Sequence, residues 1–198
     1  MHPRLLGVFG FPVFHSLSPA MHNAAFKALG LPWVYLPFEV QPRGLKEALD
    51  AVKVLNMPGC NLTIPLKEKA LRYMDALSES AMIARSVNTV ENRGGLLKGY
   101  NTDGEGFIRS LREEHNFNFL GKHVTIIGAG GAARGISCAL AKEGVKSISV
   151  ANRALDFYLA KRLIRDIGRA FPKTELAVLP LKEGALARFF PSLDLLIH

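Results

Sequence analysis

Apolar runs of strand length alternate with segments of helical period along the chain, and this alternation limits the fold more than any other feature. "LLGVFG", "SPAMHNAAFKALG", "WVYLPFEV", "GLKEALDAVKVLN" and "GCNLTIP" follow one another as strand, helix, strand, helix, strand. That order argues for an α/β sheet with helices on its faces. After Pro65 a short helix is expected near "LKEKALRYMD" and another near "SESAMIA", then a hairpin in which "SVNTVENR" and "LLKGYNT" flank Gly94 and Gly95.

The pattern then restarts. A polar helix, "DGEGFIRSLREEH", leads into strand "HVTIIGA", helix "GAARGISCALAKEG", strand "SISVANR", helix "FYLAKRLIRDIGRAF", strand "ELAVLPL", short helix "ALARFF" and strand "DLLIH". Two domains are expected, over 1–101 and 102–198, with the boundary near Asn101.

Composition narrows the function classes. A chain of 198 residues that is 48% hydrophobic can bury a sizeable core. It has no run of eighteen apolar residues, and its start, "MHPRLLGVFG", lacks the order of a secretory signal, so a cytoplasmic protein without a membrane partner is expected. Cys60 and Cys138 stand 78 residues apart, which fits neither a metal-ligand pair nor a disulfide framework; they read as two reduced core thiols. The net charge of +8 divides evenly, with 11 basic and 7 acidic groups over 1–101 and 14 and 10 over 102–198. Without a Lys/Arg run or interleaved aromatics, that spread argues against a nucleic-acid partner and suits anionic small molecules.

"GAGGAA", Gly128 to Ala133, stands where a strand becomes a helix and matches G-x-G-x-x-G/A. Gly128 would permit a tight turn, Gly130 would let the backbone approach a pyrophosphate, and Ala133 would let the helix pack closely on the strand. A small-residue turn that serves packing alone is the alternative. The next strand ends in Asn152 and Arg153, where an NAD-binding unit usually carries an acid, so Arg153 favours the 2′-phosphate of NADP over a free ribose. A solvated arginine at a strand end is the plainer reading, and Asp156 follows close by.

In "HSLSPAMHN", Ser18 reads as a helix N-cap with Pro19 at the first helical position, and Ser16 adds a second hydroxyl where the helix dipole would welcome a carboxylate. His15 and His22 read as structural. Asn61 and Thr63 alternate along a strand so that both face one way. Lys67 is expected near a helix N-terminus, where the dipole and partial desolvation would make a lysine usable as an acid or base; a surface charge is the alternative. Asn88 and Asp103 read by themselves as turn and cap residues.

Taken together and in order, "GFPVFHSLSPAMHNAAF", "GCNLTIPLKEKAL", "SVNTVENRGGLLKGYNTDGEGF" and "VTIIGAGGAARG…VANR" resemble the shikimate dehydrogenase family over essentially the whole chain. The resemblance implies an N-terminal α/β substrate domain and a Rossmann-like NADP-binding domain, with reversible reduction of 3-dehydroshikimate to shikimate. It implies that Ser16 and Ser18 bind the substrate carboxylate, that Asn61, Thr63 and Asn88 bind hydroxyls or that carboxylate, and that Lys67 and Asp103 form the catalytic pair. Gly128, Ala129, Gly130, Gly131 and Ala132 would form the pyrophosphate turn, and Asn152 and Arg153 would meet the 2′-phosphate.

The chain departs from the family pattern in two places. Ala154, Leu155, Asp156 and Phe157 stand where the family commonly has a threonine and then a second basic residue, which thins the 2′-phosphate clamp. The chain also ends in "PSLDLLIH", read as the fourth strand of the cofactor sheet, before the segments that in the family hold the nicotinamide side. The expectation is weak binding of adenosine 2′-phosphate compounds, little turnover, and self-association through exposed apolar surface. An impaired binding protein and a quinate/shikimate dehydrogenase are the alternatives to an active shikimate dehydrogenase.

Overall fold

The computed structural model describes residues 2–182 and 192–198, and the chain separates into two compact units, Met1–Asn101 and Thr102–His198. The short helix expected over 185–190 and the first residue of "PSLDLLIH" lie outside the described residues.

The first unit comprises β1 (Arg4–Gly10), α1 (Ser18–Ala28), β2 (Trp33–Glu39), α2 (Leu45–Val54), β3 (Gly59–Leu62), β4 (Ala76–Leu77), α3 (Glu79–Ala84), β5 (Thr89–Arg93) and β6 (Leu96–Tyr100). They form a six-stranded sheet in the order β2-β1-β3-β5-β6-β4. Alternation along the strands sends side chains to opposite faces. Phe9, Cys60 and Leu62 pack with Leu45, Leu49 and Val52 of α2, while Val8 and Tyr35 pack with Val13 and, from α1, Phe26. Gly94 and Gly95 turn the β5–β6 hairpin with φ of +61° and +89°, which a side chain would resist.

The structure corrects three local expectations here. The helix expected near "LKEKALRYMD" is a run of turns followed by a single 3-10 segment, Lys69–Tyr73. The chain has no room for more, because Asp75 is drawn into the sheet: its N–H donates to Leu97 O at 2.9 Å and its carboxylate accepts from Leu97 N–H at 2.7 Å. Ser18 is the first residue of α1 rather than its cap, and Ser16 Oγ instead accepts from Ser18 N–H at 3.3 Å. Pro19 tolerates this shift because an N–H in the first turn has no intrahelical partner to lose. Thr63 lies just past the end of β3, although its N–H still donates to Phe9 O at 2.9 Å.

The second unit comprises α4 (Asp103–His115), β7 (His123–Ile127), α5 (Gly131–Lys142), β8 (Ser147–Asn152), α6 (Phe157–Ala170), β9 (Glu175–Pro180) and β10 (Leu195–Ile197). Its sheet runs β10-β7-β8-β9 and all its pairings are parallel. β10 therefore crosses to the far side of β7, which makes the β7/β10 edge the topological switch point of the sheet. Asp194 holds that crossing, accepting from His123 N–H and from Lys122 Nζ at 2.8 Å each.

Candidate active site

The topology of the first unit gathers its polar residues at one end of the sheet. β1 and β3 run parallel, so the loops after Gly10 and after Leu62 open at the same end. β5 runs antiparallel to both neighbours, which sets Thr89 beside Asn61 of β3 and Tyr100 of β6. Ser16 and Ser18 follow β1, Thr63 and Lys67 follow β3, and Asn88 immediately precedes β5. Backbone bonds extend this convergence past the ladders: Phe11 N–H to Ile64 O at 3.0 Å, Val87 N–H to Lys67 O at 2.9 Å, and Leu62 N–H to Asn88 O at 2.8 Å. A Cβ on Gly10 would lie 2.3 Å from Thr63 Cγ2, so the glycine makes room for the threonine. Lys67 sits in a turn, away from any α-helix N-terminus, and the helix-dipole argument for its reactivity does not apply.

Asn61 lies at the centre of a hydrogen-bond chain. Its Oδ1 accepts from Tyr35 Oη at 2.7 Å, and its Nδ2 donates to Thr89 Oγ1 at 3.0 Å and to Asn88 O at 3.3 Å. Thr89 Oγ1 in turn donates to Asn88 Oδ1 at 3.1 Å. Thr89 stood in the "SVNT" motif without a role of its own, and Tyr35 carried no motif; the signal available for it was a tyrosine in a strand-like run, a residue whose hydroxyl needs a partner wherever the ring is buried. Burial, with Cys60 nearby, pushes the Tyr35 phenol well above its ordinary range, and burial lowers the imidazole of His22, which stacks on the Tyr35 ring at 4.3 Å. Burial also pushes the Cys60 thiol up to about 12, in keeping with a core thiol.

The glycine turn of the second unit joins β7 to the start of α5. Gly128 adopts φ +99° and its N–H donates to Ala151 O at 2.8 Å, which ties the turn to the next strand. Gly130 is the N-cap of α5 with no side chain capping it, and a Cβ added at Gly128 or Gly130 would meet nothing within 4 Å. Packing therefore does not demand these glycines. Backbone conformation demands the first, and the second leaves the helix end open to approach. Ala129 and Ala133 are buried, whereas Gly130 and Ala132 are exposed and Gly131 is half-buried.

At the end of β8 the Asn152 carboxamide closes its own turn, accepting from Arg153 N–H at 2.9 Å and donating to Asp156 O at 3.0 Å. The exposed Arg153 fork reaches Asp156 Oδ2 at 2.6 Å. Asp156 occupies the N-cap position of α6 without making a cap bond there.

A family model for the shikimate dehydrogenase substrate binding domain matches residues 8–90. The shikimate dehydrogenase (NADP(+)) of Alkaliphilus metalliredigens is 43% identical over 197 residues, covering 100% of this chain and 68% of the relative. The chain belongs to the shikimate dehydrogenase family. A second family member, from Desulforamulus reducens, is 45% identical over 195 residues, covering 98% of this chain and 66% of the relative. The chain thus spans about two thirds of the length of the curated shikimate dehydrogenases it matches. Among solved structures, shikimate 5-dehydrogenase from Listeria monocytogenes in complex with shikimate and NAD superposes with a TM-score of 0.89 at 38% identity, covering 98% of this chain and 68% of that one. Among the described residues no helix is long and apolar enough to cross a membrane.

Proposed function

We propose that this chain carries the shikimate site and the adenosine side of the NADP site of a cytoplasmic shikimate dehydrogenase, which interconverts 3-dehydroshikimate and shikimate. The convergence of Ser16, Thr63, Lys67 and Asn88 at one end of the first sheet supports this reading, because hydroxyls, a carboxamide and an ammonium at one place suit a single small polar ligand. Ser16 and Ser18 would take the substrate carboxylate, and Thr63, Asn61 and Asn88 would take its other polar groups. NADP, when bound, supplies the hydride acceptor or donor. Lys67 would give a proton to the carbonyl oxygen as its carbon is reduced and take it back in the reverse direction, while Asp103 would accept a hydrogen bond from a neighbouring hydroxyl. Domains 1–101 and 102–198 would be the shikimate-binding and NADP-binding domains.

In the second unit, Gly128 and Gly130 fit a pyrophosphate at the start of α5, and Arg153 is the group for the 2′-phosphate. Self-association through exposed sheet edges is the expected behaviour in isolation, which sedimentation velocity measures. The deciding experiment pairs intact mass with an assay for shikimate-dependent NADPH formation and for shikimate binding by calorimetry. Wild-type protein should bind shikimate, and Lys67→Ala should abolish any turnover while leaving binding within an order of magnitude. Turnover that survives Lys67→Ala, or wild-type protein that fails to bind shikimate, rules the assignment out.

A further inference from the structure

We infer that Tyr35 is a positioning residue which, opposite Asn88 O and Thr89 Oγ1, holds the Asn61 carboxamide so that it offers a ligand only an acceptor, and that Asn61 therefore reads a substrate hydroxyl and does not contact the carboxylate. The inference rests on the shikimate-site reading above and specifies one contact within it.

The orientation of the Asn61 amide follows from what its neighbours can and cannot donate. Asn88 O is a backbone carbonyl with no proton to give, so the Asn61 atom facing it at 3.3 Å must be the nitrogen. The other amide proton goes to Thr89 Oγ1 at 3.0 Å, whose own proton goes to Asn88 Oδ1 at 3.1 Å. Both donors of Asn61 are thereby used. Its oxygen then faces Tyr35 Oη at 2.7 Å, and the phenol, held neutral by burial, is the donor. One oxygen lone pair is what Asn61 has left to offer a ligand.

Tyr35 can reach this far because of how it is held. It stands on β2, with β1 between it and β3, so its hydroxyl spans two strand spacings of about 4.8 Å each with the help of the asparagine side chain. β2 is an edge strand, and at Tyr35 its unpaired backbone groups are taken by Asn23 of α1: Asn23 Nδ2 donates to Tyr35 O at 2.9 Å and Tyr35 N–H donates to Asn23 Oδ1 at 2.8 Å. His22, one residue earlier on the same helix, stacks on the ring with an interplanar angle of 23°. Backbone and ring are both fixed, which leaves the hydroxyl one direction.

Protein-by-ligand cycles with the full chain test this by calorimetry, using shikimate, its methyl ester and its deoxy analogues that each lack one ring hydroxyl. Asn61→Ala is expected to weaken shikimate binding about 5- to 10-fold, to weaken the methyl ester equally, and to have no effect on one of the deoxy analogues. Tyr35→Phe keeps the ring and its stacking, and should lose most of the discrimination against that same analogue. Should Tyr35→Phe fail to fold, the Asn61→Ala cycle still decides between hydroxyl and carboxylate. A methyl ester that is insensitive to Asn61→Ala overturns the acceptor assignment. Shikimate binding that neither substitution changes overturns the positioning role while leaving the proposed function standing, and wild-type protein that binds no shikimate removes both.

Discussion

Arg153 Nη2 donates to Asp156 Oδ2 at 2.6 Å, so the arginine that closes β8 is already paired inside its own turn. A 2′-phosphate bound to this arginine, as proposed, would compete with that carboxylate for the fork. The arginine side chain is 75% exposed, and ion pairs of such exposure contribute about 0.2–1 kcal/mol. Asp156→Ser should therefore tighten NADP+ binding by up to about fivefold and leave NAD+ binding essentially unchanged, while Arg153→Ala should erase the preference between them. Calorimetric titration with both nucleotides checks this; equal NADP+ affinity in wild type and Asp156→Ser would show that the pair does not compete.

Gly104 sets how closely α4 approaches α5. A Cβ there would lie 2.2 Å from Gly135 O and 2.7 Å from Ala139 Cβ, and a backbone carbonyl cannot swing aside as a side chain can. Gly104→Ala should destabilise the second unit by about 2 kcal/mol through overpacking, read from urea denaturation. Gly106, two residues on, has open space for a Cβ, so Gly106→Ala should not destabilise it.

Arg134 and Asp166 form a buried pair across α5 and α6, with Nη1 to Oδ2 at 3.1 Å and side-chain exposures of 2% and 7%. Removing one partner takes away the contact that joins the two helices at this point, although Asp166 also stands 3.8 Å from Arg165 Nε. Arg134→Ala or Asp166→Ala should each destabilise the second unit, whereas the apolar pair Arg134→Met with Asp166→Leu should cost far less than the two single changes added together, both read from urea denaturation. A strictly additive double variant would show that the ion pair is not what couples the helices.

Asp75 ties the entry of β4 to β6, and its carboxyl lies below its ordinary value of 3.8, first through the Leu97 N–H and then through Lys53. Because the folded value is the lower one, its contribution is whole above the unfolded value and is lost as pH falls through the folded value. The gap in melting temperature between wild type and Asp75→Asn should hold from neutral pH to about 5 and narrow in stronger acid. A gap that stays constant in acid would place the effect elsewhere than in the charge.

The strand and helix order, the restart of the pattern after Asn101 and the glycine turn at Gly128 were legible in the amino-acid sequence, because side-chain periodicity and glycine backbone freedom are local properties. Local reading failed where a distant partner overrode propensity. Asp75, drawn to Leu97, leaves "LKEKALRYMD" a single 3-10 segment, and that takes away the helix end on which Lys67 was expected to sit. The hydrogen-bond chain from Tyr35 through Asn61 and Thr89 to Asn88 joins residues up to 54 positions apart, across β2, β3 and β5. No spacing rule links them. Sequence alone determined which side chains were available for the site; the order in which the strands lie side by side decided which of them meet, and so which donors and acceptors are left for a ligand.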